Sequence, residues 1–301
     1  SYLNIHMTMK INKTHSLLFL LGISILITGC SDSLSDTTDG RLRYWISTLS
    51  SDEFEGRAPG TEGGQLTKNF ISKTFQDFNL DPIDGSFFLD VPTSEITLKD
   101  SSYLTLSFRG NDRKMITGDE VVFWTKQARE YRKIRDSEVV FVGYGIVAPE
   151  YNWNDYEGID VKGKTVVILV NDPGFATGKI RLFNGRSMTY YGRWTYKFEE
   201  AARQGAAAAI VIHEEEPAAY PWSVVENSWQ GPQLDLQRDD LGADRVILEG
   251  WIRDSTLNDV LNFTGFNYDS LKEIALEKTF SAFPLRGLTL SSEIHNKVRY
   301  L

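Results

Sequence analysis

Two short apolar runs with a helix between them constrain this chain more than anything else in it. "KTVVILV", Lys164 to Val170, and "AAAAIVIH", Ala206 to His213, show no polar alternation. A strand with one face in water alternates, and a strand covered on both faces does not. Between them, "RWTYKFEEAARQG", Arg193 to Gly205, repeats apolar residues at helical spacing and stops at a glycine. Strand, helix and strand in that order make an α/β unit with a parallel or covered sheet. "SEVVFVGYGIVAP", Ser137 to Pro149, adds a further β-rich run.

The segments around this unit are less regular. Leu42, Trp45, Ile46 and Leu49 share one helical face. A glycine-rich stretch follows, "SDEFEGRAPGTEGGQLTKNF", Ser51 to Phe70, and then Leu66, Phe70, Ile71, Thr74, Phe75 and Phe78 recur at helical spacing. That pattern predicts a helix over about Thr61 to Asn79, with Thr61 as its N-cap and Pro82 beyond its end. Strands are expected at "SFFLDVP" near Phe87 and "SYLTLSFRG" near Leu104, with Gly110-Asn111-Asp112 as a turn. "PWSVVENSW" reads as a proline-entered loop. "DSTLNDVLNFTG" and "DSLKEIALEKTF" read as two short helices, each opened by an aspartate, and "LTLSSEIHNKVRYL" as a final extended stretch.

The chain has 301 residues, of which 41% are hydrophobic, enough for one large domain or two smaller ones. A net charge of −9 without a basic block argues against a nucleic-acid footprint. Near the start, Lys10 and Lys13 precede "SLLFLLGISILITGC", an apolar run too short for a comfortable membrane span. It fits a secretory signal over residues 1–29. "ITGC" resembles the bacterial lipobox, which makes Cys30 the expected lipid-attachment site; the other reading is a signal anchor with an incidental cysteine. As the sole cysteine, Cys30 also excludes an intramolecular disulfide. Residues 30–40, "SDSLSDTTDG" after the cysteine, read as a polar tether. The expected location is the cell envelope, lipid-anchored, at the outer membrane or its periplasmic or extracellular face.

Several motif matches fail on context. "GIDVKGKT", Gly158 to Thr165, fits a phosphate-loop expression, but its strand follows the loop instead of preceding it. "GYGIVA", Gly143 to Ala148, mimics a dinucleotide fingerprint, but Pro149 follows and no helix opens there. Neither supports nucleotide binding. "HEEE", His213 to Glu216, could be read as metal ligands; a surface acidic turn is the expected reading. There is no G-x-S-x-G elbow and no H-E-x-x-H. With Cys30 lipidated, no cysteine nucleophile remains. Beyond residue 29 the histidines are His213 and His295.

The segments "LSSDEFEGRAPGTEGG", "FVGYGIVAPEYNWNDYEGIDVKGKTVVILVNDPG", "YKFEEAARQGAAAAIVIHE" and "PWSVVENSW" occur in an order that resembles secreted bacterial di-zinc aminopeptidases carrying a protease-associated (PA) domain. That family is related to the glutamate carboxypeptidases and transferrin receptors. The resemblance runs from about Leu42 to the last residue. It implies an α/β fold in which residues 41–115 begin a peptidase domain, residues 116–290 form an inserted PA domain with a helical extension, and residues 291–301 return toward the catalytic core. It also implies a peptide substrate, zinc as the cofactor of the whole protein, and a PA domain acting as lid or substrate-recruitment module.

The family's H-x-D motif, its acidic pair and its later ligands come after the PA domain. None maps onto this chain; His295-Asn296-Lys297 is not H-x-D. Hydrolysis of this kind needs metals to activate water and a carboxylate to move its proton, with ligands converging at about 2.0–2.2 Å. The chain is therefore expected to be catalytically silent and to bind no zinc itself. The other function considered is a non-catalytic PA-domain lipoprotein that binds peptides or a protein partner.

Arg57, Gly60 and Thr61 are candidate cleft-rim residues by that resemblance. The plainer reading is a loop that needs glycine, with Thr61 as helix cap. The aromatics of "YNWNDY", Tyr151 to Tyr156, and "YPWSVVENSW", Tyr220 to Trp229, either pin long loops to the core or offer a protein-contacting surface.

Overall fold

The computed structural model describes residues 38–301. The proposed signal, Cys30 and most of the tether lie outside them. The described chain divides into two compact units, one ending at Asp90 and one running from Val91 to Leu301.

The first unit is helical. Helix α1 spans Thr38–Leu49, a 3-10 segment spans Asp52–Arg57, and α2 spans Glu62–Asp77. Thr61 caps α2 through its hydroxyl, which accepts from the Gly64 backbone N–H at 3.1 Å. This satisfies one of the donors that a helix start leaves open. The glycines at its start have a steric reason. Gly60 has a φ of +73°, and a Cβ on Gly63 would sit 2.0 Å from the Phe54 carbonyl oxygen. The 3-10 segment can therefore lie directly on the first turn of α2, with the Phe54 ring edge-on to Phe70 at 6.0 Å.

No strand forms at "SFFLDVP", contrary to the pattern expected there. Asp84 and Gly85 both have positive φ, and the Ser86 hydroxyl holds a local turn by bonding both the N–H and the carbonyl of Phe88. Phe87 packs on Phe75 of α2 instead. The strand appears later, as β1 at Thr93–Leu98.

The second unit is a mixed α/β fold built on one ten-stranded sheet, with two short helices, α3 (Pro173–Thr177) and α5 (Glu215–Ala218), in its loops. After β1 come β2 (Tyr103–Phe108), β3 (Asn111–Met115), β4 (Val121–Trp124), β5 (Tyr131–Phe141), β8 (Thr165–Leu169), β9 (Ala208–His213), β10 (Pro232–Leu236), β11 (Leu248–Arg253) and β12 (Phe283–Tyr300); β6 (Val147–Ala148) and β7 (Trp153–Asn154) form a separate small ribbon. The order is β10-β1-β12-β5-β8-β9-β11-β4, with β2 and β3 branching from β12. Strands β5, β8, β9 and β11 are parallel, and the flanking pairs are antiparallel. The turn between β2 and β3 falls on Arg109-Gly110, both with positive φ, one residue earlier than the sequence suggests.

The central runs lack polar alternation because both faces of the sheet are covered. On one face Val167, Leu169, Ile210, Ile212 and Ile252 meet helices α7 (Asp254–Asn262) and α8 (Tyr268–Ile274) through Leu257, Leu261 and Leu271. On the other, Val166, Ile168, Ala209, Val211 and Trp251 meet Phe198 and Ala201 of α4 (Trp194–Arg203) and Trp222 of α6 (Trp222–Ser228). The expected proline-entered loop is thus the helix α6: Pro221 stands just before it as the extended N-cap residue, and Trp222 and Val225, one turn apart, are buried. Helix α8 opens on an asparagine cap, with the Asn267 side chain accepting from Ser270 N–H, and not on Asp269.

The expected divisions at 115/116 and 290/291 both fall inside this second unit. Strand β12 pairs along one side with β5 and along the other with β2 and β1 in turn.

Candidate functional site

The parallel strands β5, β8 and β9 end side by side, and the side chains just past their ends meet around one cavity of about 240 Å³. Tyr144 comes from the turn after β5, Asn171 and Asp172 from the turn after β8, and Glu214 from the residue after β9. Phe175, Ala176 and Arg186 come from the long segment leading to α4; Lys272 and Leu276 come from α8 and the residues after it. In open α/β sheets the carboxyl ends of parallel strands are where loops converge to make a site.

Asp172 organises this edge. It is fully buried, and its carboxylate accepts from the Gly174 and Phe175 N–H groups and from both the N–H and the hydroxyl of Thr189. One side chain therefore ties together the beginning and the end of the segment 173–189. Asn171 extends the brace by donating its side-chain N–H to the Pro217 carbonyl at 2.8 Å. Midway, Phe183 is fully buried and stacks on Tyr151 at 4.3 Å, edge-on to Trp153 and Tyr191. Its φ of +46° lies in the left-handed region, which a phenylalanine adopts only when its surroundings fix it.

Tyr144 is held from behind. Lys197 of α4 is fully buried and donates from Nζ to the Tyr144 carbonyl at 2.6 Å. Burial pushes this ammonium well below its ordinary range, against the opposing charges of Asp155 and Asp172. Burial likewise pushes the Asp155 carboxyl up, while the Ile146 N–H, the Lys197 charge and the Trp153 indole N–H hold it down. The Tyr144 hydroxyl is raised by burial and then by the charges of Glu214, Asp155 and Asp172, so it is a neutral hydrogen-bonding group across the physiological range. At the rim, Lys272 bonds Glu214 at 2.8 Å. Burial pulls its pKa down, but the Glu214 and Asp269 contacts hold it above the ordinary value. Arg186 lies 3.5 Å from Glu216 and over the Phe175 ring.

The cavity is lined by no serine, cysteine or histidine. Among the described residues, no group of three or more His, Cys, Asp or Glu side chains is placed to hold a metal ion. The two histidines do not converge. His213 bonds the Tyr220 carbonyl at 3.1 Å and packs among Tyr220, Trp222 and Trp251, while His295 sits on β12 against Tyr131. The described residues therefore do not fit a zinc centre. In "HEEE", His213 is the buried end of β9, Glu214 is tied to Lys272, and Glu215 and Glu216 are exposed at the surface.

Arg57, Gly60 and Thr61 lie in the first unit, where their backbone makes the turn into α2; Arg57 itself has a φ of +64°. The aromatics of Tyr151–Tyr156 and Tyr220–Trp229 mostly pin loops: Trp153, Tyr156 and Trp222 are buried, and Trp229 stacks on Trp124 at 3.4 Å. Tyr144, Asp172, Lys197 and Lys272 were not legible as a set, because they come from four separate segments. One signal was available. From Pro173 to Arg193 the chain carries Lys179, Arg181, Arg186 and Arg193 and no acid, inside a chain with 41 acids to 32 bases.

Among solved structures, the chain is similar to an aminopeptidase from Aneurinibacillus sp. strain AM-1, with a TM-score of 0.39 and 16% identity over 85% of this chain and 45% of that one. The chain spans less than half the length of that enzyme. Likeness at this level identifies neither a family nor an activity. No family model matches the chain, and no curated protein matches it.

Proposed function

We propose that this chain is a non-catalytic portion of a zinc-dependent aminopeptidase of the bacterial cell envelope, and that its α/β unit recruits peptide. The observation that carries the reading is the cavity at the ends of β5, β8 and β9: it combines an apolar wall with hydrogen-bonding and charged groups, and no serine, cysteine or histidine lines it. Such a mixture suits an apolar side chain together with the polar backbone around it. In this reading zinc and the catalytic ligands belong to other residues of the whole protein, Cys30 carries the lipid, and Arg57, Gly60 and Thr61 shape the rim of the cleft.

The test has two arms. The purified chain is assayed with zinc on aminoacyl-nitroanilides, where no turnover is expected, and its binding to fluorescent peptides is measured by anisotropy. Hydrolysis would overturn the non-catalytic assignment, and failure to bind any peptide would overturn recruitment. The second reading, a PA-domain lipoprotein that binds a peptide or protein partner without belonging to an enzyme, shares the same cavity. Sequencing the gene past Leu301 separates the two, since the enzyme requires an H-x-D motif and an acidic pair there.

A further inference from the structure

The segment Pro173–Arg193 is at once a basic stretch free of acids and one wall of the cavity of the α/β unit. Its four cations stand without a single acid in a chain of net charge −9. A run of like charge is most often just a solvated face. Three features set this one apart. Both its ends are fastened by the buried Asp172, and its middle is anchored by the buried Phe183. A merely solvated loop needs no such bracing. Lys179 and Arg181, on the exposed tip, have no ion pair among the described residues, and Ile180 between them is 73% exposed. The tip lies between Ala176 and Arg186 in the chain, and both of those line the cavity.

Resting on the peptide-recruitment reading, we infer that the preferred ligand is an acidic peptide segment. One apolar side chain enters the cavity between Phe175, Leu169 and Leu276, and carboxylates flanking it meet Lys179, Arg181 and Arg186. Of these, Arg186 is shared at long range with Glu216, while Lys179 and Arg181 are free to engage a ligand. Guanidinium groups take carboxylates in paired hydrogen bonds, so Arg181 and Arg186 with Lys179 select charge, while the apolar wall of a cavity that also holds Asp172, Glu214 and Glu216 selects side-chain size. An anionic lipid surface would use the basic tip but would leave the cavity, with its Tyr144 hydroxyl and apolar wall, without a role.

The experiment uses the full chain and three fluorescent peptides with a central leucine, flanked by glutamates, by glutamines or by lysines, with phosphatidylglycerol vesicles as a fourth probe. The glutamate peptide is expected to bind about tenfold tighter than the glutamine peptide at low salt. The gap is expected to shrink at high salt and to close in the double variant Lys179→Glu, Arg181→Glu, whose exposed positions leave the circular dichroism unchanged. Ala176→Trp, which fills the mouth of the cavity, is expected to weaken all three peptides together. Equal binding of the three peptides would overturn the acidic preference and leave peptide recruitment standing. Binding of none would overturn both. Vesicle binding without peptide binding, or an acidic preference that survives the double variant, would also overturn the inference.

Discussion

Thr93 and Leu301 form a hydrogen-bonded pair in which each donates its backbone N–H to the other's carbonyl, at 3.0 and 2.9 Å. The pair extends the antiparallel ladder of β1 against β12. Removing residues 296–301 takes away the partner of β1, and β10 hangs on β1 alone. In hydrogen exchange, β1 and β10 are then expected to lose protection while β8 and β9 keep theirs. Uniform loss across the sheet would show that the ladder is integral to the core.

Asp172→Ala removes one acceptor from four hydrogen bonds and strands buried donors on both ends of the segment 173–189. The expected cost is about 3 kcal/mol in chemical denaturation. Trypsin is also expected to cut after Lys179 and Arg181 faster than in the parent chain. A variant with unchanged stability and unchanged cleavage would remove Asp172 from its bracing role.

Glu249 is fully buried, bonded to Arg245 at 2.8 Å and to the Trp124 indole N–H at 3.0 Å. Burial raises its pKa, and Arg245 and Trp124 act against that rise. Glu249→Ala leaves Arg245 largely buried without its partner, which is expected to destabilise by about 3–5 kcal/mol. Replacing both partners, Glu249→Leu with Arg245→Met, is expected to recover most of the loss; the comparison is read from urea midpoints.

Burial lowers the His213 pKa below its ordinary value, partly offset by the bond to the Tyr220 carbonyl. The unfolded chain then takes up a proton near pH 6.5 that the folded chain resists. Stability from this residue is complete above that pH and declines as the pH falls below it toward the lower folded value. His213→Gln is expected to flatten this part of the Tm-against-pH curve. An unchanged slope would mean that other groups set it.

The helical unit holds together through a few ring contacts, Tyr44 with Phe70 at 6.0 Å and Trp45 with Phe78 at 5.7 Å. Beside them lies an apolar groove of about 270 Å³ lined by Trp45, Leu49, Phe70, Ile71, Phe75 and Leu80, among others. Its amide protons are expected to exchange faster than those of β8 and β9, and the unit to bind an apolar dye. Equal protection in both units would contradict this.

The elements legible in the sequence are those whose signal is local. Lys164–Val170 and Ala206–His213 read as covered strands because a doubly buried strand has no polar positions, and both are central in the sheet. Thr61 read as a cap because its hydroxyl sits where the first turn of α2 leaves donors open. "SFFLDVP" misled because its apolar pattern is strand-like while Asp84, Gly85 and Ser86 hold a turn in front of it. "PWSVVENSW" misled because its proline reads equally as a break and as the start of a helix. The candidate site was not legible, since its members are spread from Tyr144 to Leu276.

By itself, then, the sequence determined the covered parallel strands, the helix between them and the glycine-dependent turn into α2. Each of these follows from steric and hydrophobic preferences that act within a few residues. Only the tertiary structure decided that Thr93 meets Leu301, that Asp172 fastens Thr189, and that Lys197 supports Tyr144. Those pairings depend on strand order and on which face each helix covers, and chain separation alone carries no record of either.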